Sequence, residues 1–152
     1  MADRPPPTER PLPDHVRPPG IDDATVAALG KLGEALETVE RARGRLYDFH
    51  QLTGQADLAL GEAVAMLRAA GHPALAERLT AELVGRNVVE GRWTFQLVED
   101  YDDGYWSTFR ALERAAREQL VAGRRHLFEA EMKEDRRTHG RPGHEARPAA
   151  GA

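Results

Sequence analysis

The stretch that decides the fold runs from Trp93 to Met132 and reads WTFQLVEDYDDGYWSTFRALERAAREQLVAGRRHLFEAEM. Its first half holds both tryptophans of the chain and two of its three tyrosines. Aromatic side chains bury the largest apolar area per residue, so we expect the best-packed part of the fold here. Its second half repeats apolar residues every three or four positions, which predicts a long amphipathic helix.

Residues 88–106 fit two secondary structures. At a spacing of 3.6 residues, Trp93 and Leu97 fall on one face of a helix. At a spacing of two, Trp93, Phe95 and Leu97 alternate as in a strand, and Asp103-Gly104 has the composition of a hairpin turn. The sequence favours the helix, because an isolated hairpin is marginally stable and no other segment has a strand-like pattern.

The longest helical pattern lies nearer the N-terminus. It begins after Asp22, whose carboxylate suits an N-cap, and it continues to Ala70. Apolar residues recur at steps of three and four, which predicts one buried stripe about 70 Å long. The stripe consists of Leu29, Leu32, Leu36, Val39, Ala42, Leu46, Phe49, Leu52, Ala56, Leu60, Ala63, Leu67 and Ala70.

The clearest helix break is Gly71-His72-Pro73, because glycine suits a left-handed C-cap and proline suits the first turn of a helix. A short helix from Pro73 to about Val84 is expected to follow. The predicted fold is therefore all-α, a long–short–long helical hairpin or bundle with coiled-coil-like stripes. Two long antiparallel helices cannot bury every apolar stripe, so we expect dimerisation to complete the bundle.

Composition divides the chain into three ranges: a Pro-rich arm over residues 1–20, a single helical domain over 21–136 and a basic tail over 137–152. Both ends are expected to be disordered, because proline-rich and Gly/Ala/Arg-rich segments cannot build a core.

The absence of cysteine excludes disulfides and cysteine nucleophiles. With no apolar run long enough for a bilayer and no secretory signal pattern, we expect a cytoplasmic protein without membrane contact.

One acidic cluster is a candidate cation-binding site. It comprises Glu99, Asp100, Asp102 and Asp103. In an EF-hand register with Gly104 at the sixth position, Tyr101 and Arg110 occupy positions that require oxygen ligands, so the pattern fails. A solvated acidic face is the preferred interpretation.

A second candidate metal site combines two pairs of residues. His50 and Asp57 lie two turns apart on the first helix, and His126 and Glu129 share a face of the last helix. These four residues could hold a divalent metal if the two helices pair in the right register. Apart from this alternative, no cofactor is expected.

Catalytic motifs are missing: the sequence has no phosphate-binding loop and no nucleophile elbow, and its one serine, Ser107, lies inside a helical pattern. The aromatic residues are too many for one helix to bury on one side, so some should contact a partner, either a second copy of the chain or another protein. The predicted partner-binding residues are Trp93, Phe95, Tyr101, Tyr105, Trp106 and Phe109.

These observations predict a non-catalytic helical interaction or scaffold protein that forms a homodimer and contacts another protein. One alternative is a metal-binding bundle with enzymatic activity. The other is a nucleic-acid accessory protein that acts through the basic tail, although a net charge of -4 argues against it.

Overall fold

The structure, a computed structural model, describes residues 7–147. Over this range the chain is helical and contains no strand, which confirms the all-α prediction. The helices are α1 (Asp23–Ala69), α2 (Pro73–Glu82), α3 (Thr94–Tyr101), α4 (Ser107–Val121) and α5 (Leu127–Arg136). A π-helical segment, Asp102–Trp106, joins α3 to α4, and two 3₁₀ turns, Pro7–Glu9 and Pro13–His15, precede α1. None of the described helices is both long and apolar enough to cross a lipid bilayer.

The preference for a helix over a hairpin is confirmed in residues 94–106. Asp103 and Gly104 lie inside the π-helical segment rather than in a turn. The only bridge in the part of the chain that the structure describes is an isolated one between Val89 and Arg92, in the loop before α3.

The predicted final long helix is wrong in one respect, because it is interrupted between α4 and α5. Ala122, Gly123 and His126 have φ angles of 54°, 74° and 58°, in the left-handed region that ends a helix. The Gly123 amide donates to the Arg117 carbonyl at 2.9 Å, which closes the end of α4. The chain then starts α5 as a separate helix.

The chain divides into two compact units. Unit 1 contains the residues up to Glu37 and those from Phe109 onwards, and unit 2 is Thr38–Thr108. Because α1 contributes to both units, this division does not test whether residues 21–136 fold as one domain, and that remains a prediction.

The core of unit 1 joins the start of α1 to α4 and α5 through Val26, Val121 and Leu127. Ile21 packs against this cluster from just before the helix. The predicted N-cap is present, since the Thr25 amide donates to Asp22 Oδ1 at 2.8 Å.

The described parts of both termini make specific contacts within unit 1. The Arg137 side chain is buried, and it forms ion pairs of 2.6 Å with both Glu9 and Glu134. Arg124 donates to the Val16 carbonyl. The predicted terminal disorder is therefore not confirmed for residues 7–20 and 137–147, and residues 1–6 and 148–152 lie outside the described residues.

In unit 2 the inward face of α1 follows steps of four and three. We call this set the inner series: Val39, Arg43, Leu46, His50, Thr53, Asp57, Leu60, Val64 and Leu67, all buried or half-buried. On α2 the fully buried residue is Ala76, whereas Leu75 and Leu83 are exposed.

The single apolar stripe predicted for α1 is therefore wrong in unit 2, because it merges two faces. Its members Ala42, Phe49, Leu52, Ala56, Ala63 and Ala70 are exposed. The reason is that the inner series includes polar residues whose side chains bond to the segments they face, so apolarity alone does not identify the inward face.

Two glycines of α1 in unit 1 should respond oppositely to alanine. A Cβ on Gly30 would lie 2.7 Å from Phe128 Cγ, whereas one on Gly33 would meet no atom within 4 Å. We expect Gly33→Ala to raise the free energy of unfolding by about 0.5–1 kcal/mol through helix propensity. Gly30→Ala should lower it, because Phe128 must move away.

Thermal and urea unfolding of the two variants measures both effects, and each variant is the control for the other. Stabilisation by Gly30→Ala equal to that by Gly33→Ala would contradict the close packing of Phe128 on α1.

Candidate functional site

An exposed aromatic pair stands at the start of α3. Trp93 precedes the helix with extended backbone, and its amide donates to Gln96 Oε1 at 2.9 Å. The rings of Trp93 and Phe95 meet edge to face, with centroids 5.1 Å apart, and the two residues are 58% and 39% exposed. The pair therefore presents a pre-arranged apolar surface on a capped helix end.

The π-helical segment controls which aromatic side chains point outward at the other end of α3. A π turn adds a residue to the helix and shifts the faces of the residues that follow. Tyr105 is 58% exposed, whereas the adjacent Trp106 is half-buried. The Ser107 hydroxyl donates to the Asp103 and Gly104 carbonyls at 2.8 and 3.1 Å, which supports the wider turn.

Arg43 of α1 organises the packing of this segment. Its guanidinium donates to both Asp102 carboxylate oxygens, at 2.6 and 2.9 Å. It also lies over the rings of Trp106 and Tyr47, at 4.2 and 5.0 Å from the centroids. Trp106 Nε1 donates to Glu40 Oε1 at 2.9 Å, so two residues of the segment are bound directly to α1.

This ion pair is only partly accessible to water, with the Arg43 and Asp102 side chains 27% and 21% exposed. The hydrogen bonds from Arg43 hold the pKa of the Asp102 carboxyl below its ordinary value. The same bonds raise the pKa of Arg43. The pair therefore stays ionised at neutral pH.

The six predicted partner-binding residues do not share one environment. Trp93, Phe95 and Tyr105 are exposed, whereas Tyr101 and Trp106 are half-buried. Tyr101 packs on Tyr105 with centroids 5.7 Å apart, and burial raises the pKa of Tyr101. The sixth, Phe109, is half-buried and belongs to unit 1.

The four residues of the acidic cluster, Glu99, Asp100, Asp102 and Asp103, divide into two groups. Asp102 is held by Arg43, and Asp100 pairs with Arg92. Glu99 and Asp103 are exposed, as the solvated-face interpretation expects. No three of these four residues, all within the range that the structure describes, are placed to share a metal ion.

Two of the four candidate metal ligands, His50 and Asp57, belong to unit 2, and His126 and Glu129 belong to unit 1. Within unit 2, His50 Nδ1 lies 2.7 Å from Thr94 Oγ1, and Asp57 accepts a 2.7 Å hydrogen bond from the Gly85 amide. Within unit 1, His126 Nδ1 lies 4.0 Å from Glu129 Oε2. Residues 7–147 contain no group of three or more histidine, aspartate or glutamate side chains placed to share a metal ion. His50 and Asp57 each have a hydrogen-bond partner within unit 2.

One arginine of the basic tail packs within the folded part of unit 1. Arg137 is buried against Glu9 and Glu134, and hydrogen bonds from Arg137 lower the pKa of both carboxyls. The backbone amide of Arg147 donates to the Thr8 carbonyl at 3.4 Å. Arg136, directly before the tail, and Arg141 within it are exposed.

Comparison of the chain with protein-family models, curated proteins and solved structures found no match. The functional interpretation therefore depends on the chemistry of the exposed residues themselves.

Sequence reasoning missed the role of Arg43 and of its partners Tyr47 and Glu40. The apolar stripe predicted for α1 did not include Arg43. A signal was present, because Arg43 lies four residues after Val39 and three before Leu46, which places it on the buried face.

Asp102→Asn should lower the free energy of unfolding at neutral pH by about 1–3 kcal/mol, because it leaves the half-buried Arg43 without its counter-ion. The lowered pKa of Asp102 makes its contribution complete above the unfolded carboxyl pKa of about 3.9. As the pH falls through the lower folded value, the contribution is lost. The difference between the two proteins should therefore shrink in acid.

Urea unfolding at a series of pH values tests this expectation, with Asp103→Asn, an exposed neighbour in the same segment, as the matched control. Equal effects of the two substitutions at neutral pH would contradict the role assigned to the Arg43–Asp102 pair.

Proposed function

We propose that the protein is a non-catalytic interaction module that works as a homodimer and binds a basic segment of another protein. The contact would be made by an aromatic–acidic surface, which consists of Trp93, Phe95, Glu99, Asp103 and Tyr105. The observation that carries the proposal is that the exposed residues Trp93 and Tyr105 precede and follow the exposed residues Glu99 and Asp103 along the chain.

Exposed aromatic rings on a rigid helix support binding to a protein. Tryptophan and tyrosine are enriched among the residues that dominate interface energies, because they bury a large area and lose little side-chain entropy. Here both ends of the surface are held in place, by the Trp93–Gln96 hydrogen bond and by the attachment of the π-helical segment to Arg43. The free energy needed to order the surface on binding is therefore small.

The charge of the surface supports a basic partner. Residues 92–106 contain four acidic side chains and one basic side chain. Because Arg43 and Arg92 neutralise Asp102 and Asp100, Glu99 and Asp103 are the carboxylates best placed for a partner. Arginine or lysine side chains can pair with these carboxylates and also stack on the aromatic rings. The same charge would repel the phosphates of a nucleic acid.

Self-association is supported by large apolar side chains that remain in water. Leu52 and Met66 are 59% and 72% exposed, and both lie on α1. Exposed apolar surface of this kind is typical of proteins that associate. The cytoplasmic location stays part of the proposal on the sequence grounds given above.

A selection from a random peptide display library against the immobilised protein tests the partner chemistry. We expect the enriched peptides to be rich in arginine and lysine. Trp93→Ala and Tyr105→Ala should each weaken the binding of an enriched peptide by about tenfold or more, because each removes an aromatic anchor. Glu99→Gln/Asp103→Asn should weaken it at low salt and much less at high salt.

Leu58→Ala is the matched control, because it removes an exposed apolar side chain of unit 2 that is not part of the surface. Enrichment of peptides without basic residues would contradict the proposed partner chemistry. Peptides that bind the Trp93→Ala/Tyr105→Ala protein as tightly as the unmodified one would show that the binding surface lies elsewhere.

A further inference from the structure

A second series of residues runs along α1 beside the inner series. Each member directly precedes a member of the inner series, so it repeats the same steps of three and four. We call it the outer stripe: Ala42, Arg45, Phe49, Leu52, Ala56, Ala59, Ala63 and Met66. This spacing is the heptad pattern of helices that pack side by side.

Every residue of the outer stripe is exposed, although seven of the eight are apolar. The three large side chains, Phe49, Leu52 and Met66, are 40%, 59% and 72% exposed. The polar groups of α1 that bond to the rest of unit 2 lie on the inner series or, like Glu40, outside both series. The outer stripe is thus an apolar face with the periodicity of a helix–helix seam.

We propose that the outer stripe is the seam of the homodimer, in which two copies of α1 pack antiparallel to one another. This inference rests on the self-association included in the proposed function, and it assigns that association to a surface. The occupant of the outer stripe is a second copy of this chain.

The shape of the stripe suits a close pairing of two helices. Alanines at four positions permit a short interaxial distance, while Phe49 and Leu52 provide large side chains that fill the spaces between them. The stripe is about 36 Å long at 1.5 Å per residue. A seam of one helix per copy is small for a protein interface, so the association should depend on concentration.

The charges along the stripe favour the antiparallel direction. Arg41 and Arg45 lie at one end, and Glu62 lies at the other end beside Ala63. Antiparallel pairing centred between Phe49 and Ala56 would place the two arginines of each copy near Glu62 of the other. The seam would therefore gain ion pairs at both ends.

Parallel pairing is disfavoured by Arg45. It occupies a position of the stripe itself, so a parallel dimer would place Arg45 against the same residue of the other copy. In the single chain Arg45 pairs with Asp48 at 3.2 Å, with the side chains 87% and 55% exposed. An exposed pair of this kind is weak, so Arg45 can exchange it for Glu62 of the second copy.

Leu52→Glu tests the seam, because it places like charges at the centre of the dimer. We expect the unmodified protein to sediment as a dimer that dissociates on dilution from submillimolar to low micromolar concentration. The Leu52→Glu protein should sediment with the 16.8 kDa mass of one chain throughout. Its helical circular dichroism should not change, since Leu52 is already exposed in the single chain.

Leu58→Glu is the matched control, because it makes the same substitution on the same helix at an exposed position outside the stripe. It should leave the dimer intact. Dissociation of both variants alike, or of neither, overturns the assignment of the seam.

The direction of packing can be measured with a spin label, since the chain contains no cysteine. In a dimer of Ala42→Cys protein, antiparallel packing should separate the two labels by about 25 Å or more, given 1.5 Å per residue. Parallel packing would hold them at about the 8–10 Å distance between helix axes. The short distance overturns the antiparallel proposal.

These outcomes are distinct from a failure of the proposed partner binding. An unmodified protein that is monomeric at submillimolar concentration overturns the seam and the homodimer together, whatever the peptide selection shows. If Leu52 is shielded from solvent only when a different protein is bound, a second copy of the chain is likewise ruled out as the occupant. The Leu52→Glu protein should still bind the selected peptides, because the aromatic–acidic surface contains no residue of the outer stripe.

Discussion

The structure of unit 2 depends on the placement of one charged side chain, Arg43, on the inward face of a long helix. A guanidinium there requires a counter-ion and hydrogen-bond acceptors, because an unpaired buried charge is costly. Asp102 provides both, and the rings of Tyr47 and Trp106 cover the faces of the guanidinium. The π-helical segment that contains Asp102 and Trp106 is consequently bound to α1 at a defined position.

Other polar residues of the inner series also pair with polar groups of the segments that they face. His50 contacts Thr94 at the start of α3, and Asp57 accepts from the Gly85 amide after α2. These polar contacts specify where each following segment meets α1, whereas an all-apolar face would tolerate shifts in register. They also leave the more continuous apolar stripe of α1 on the outside. Because the polar inner series faces the rest of unit 2, the apolar outer stripe is left in solvent.

This arrangement connects the fold to the proposed function. Residues usually expected in a core, Phe49 and Leu52 on α1 and Trp93 before α3, are instead presented to solvent on helices whose positions are held by polar contacts. Surfaces built on such fixed elements bind without a large ordering cost. The proposed dimer seam and the aromatic–acidic surface are separate sets of residues, so one chain can use both at the same time.

The sequence by itself determined the all-helical class, the Asp22 cap of α1 and the break before Pro73, because helix periodicity and capping are local properties of neighbouring residues. It also located the aromatic region. Only the tertiary structure decided which face of α1 is buried, that Trp106 packs on Arg43 while Tyr105 stays exposed, and that His50 and Asp57 hold loops and helix ends. These features depend on partners 28 to 66 residues away in the chain, and pairing over such a distance leaves no periodic signal in the sequence.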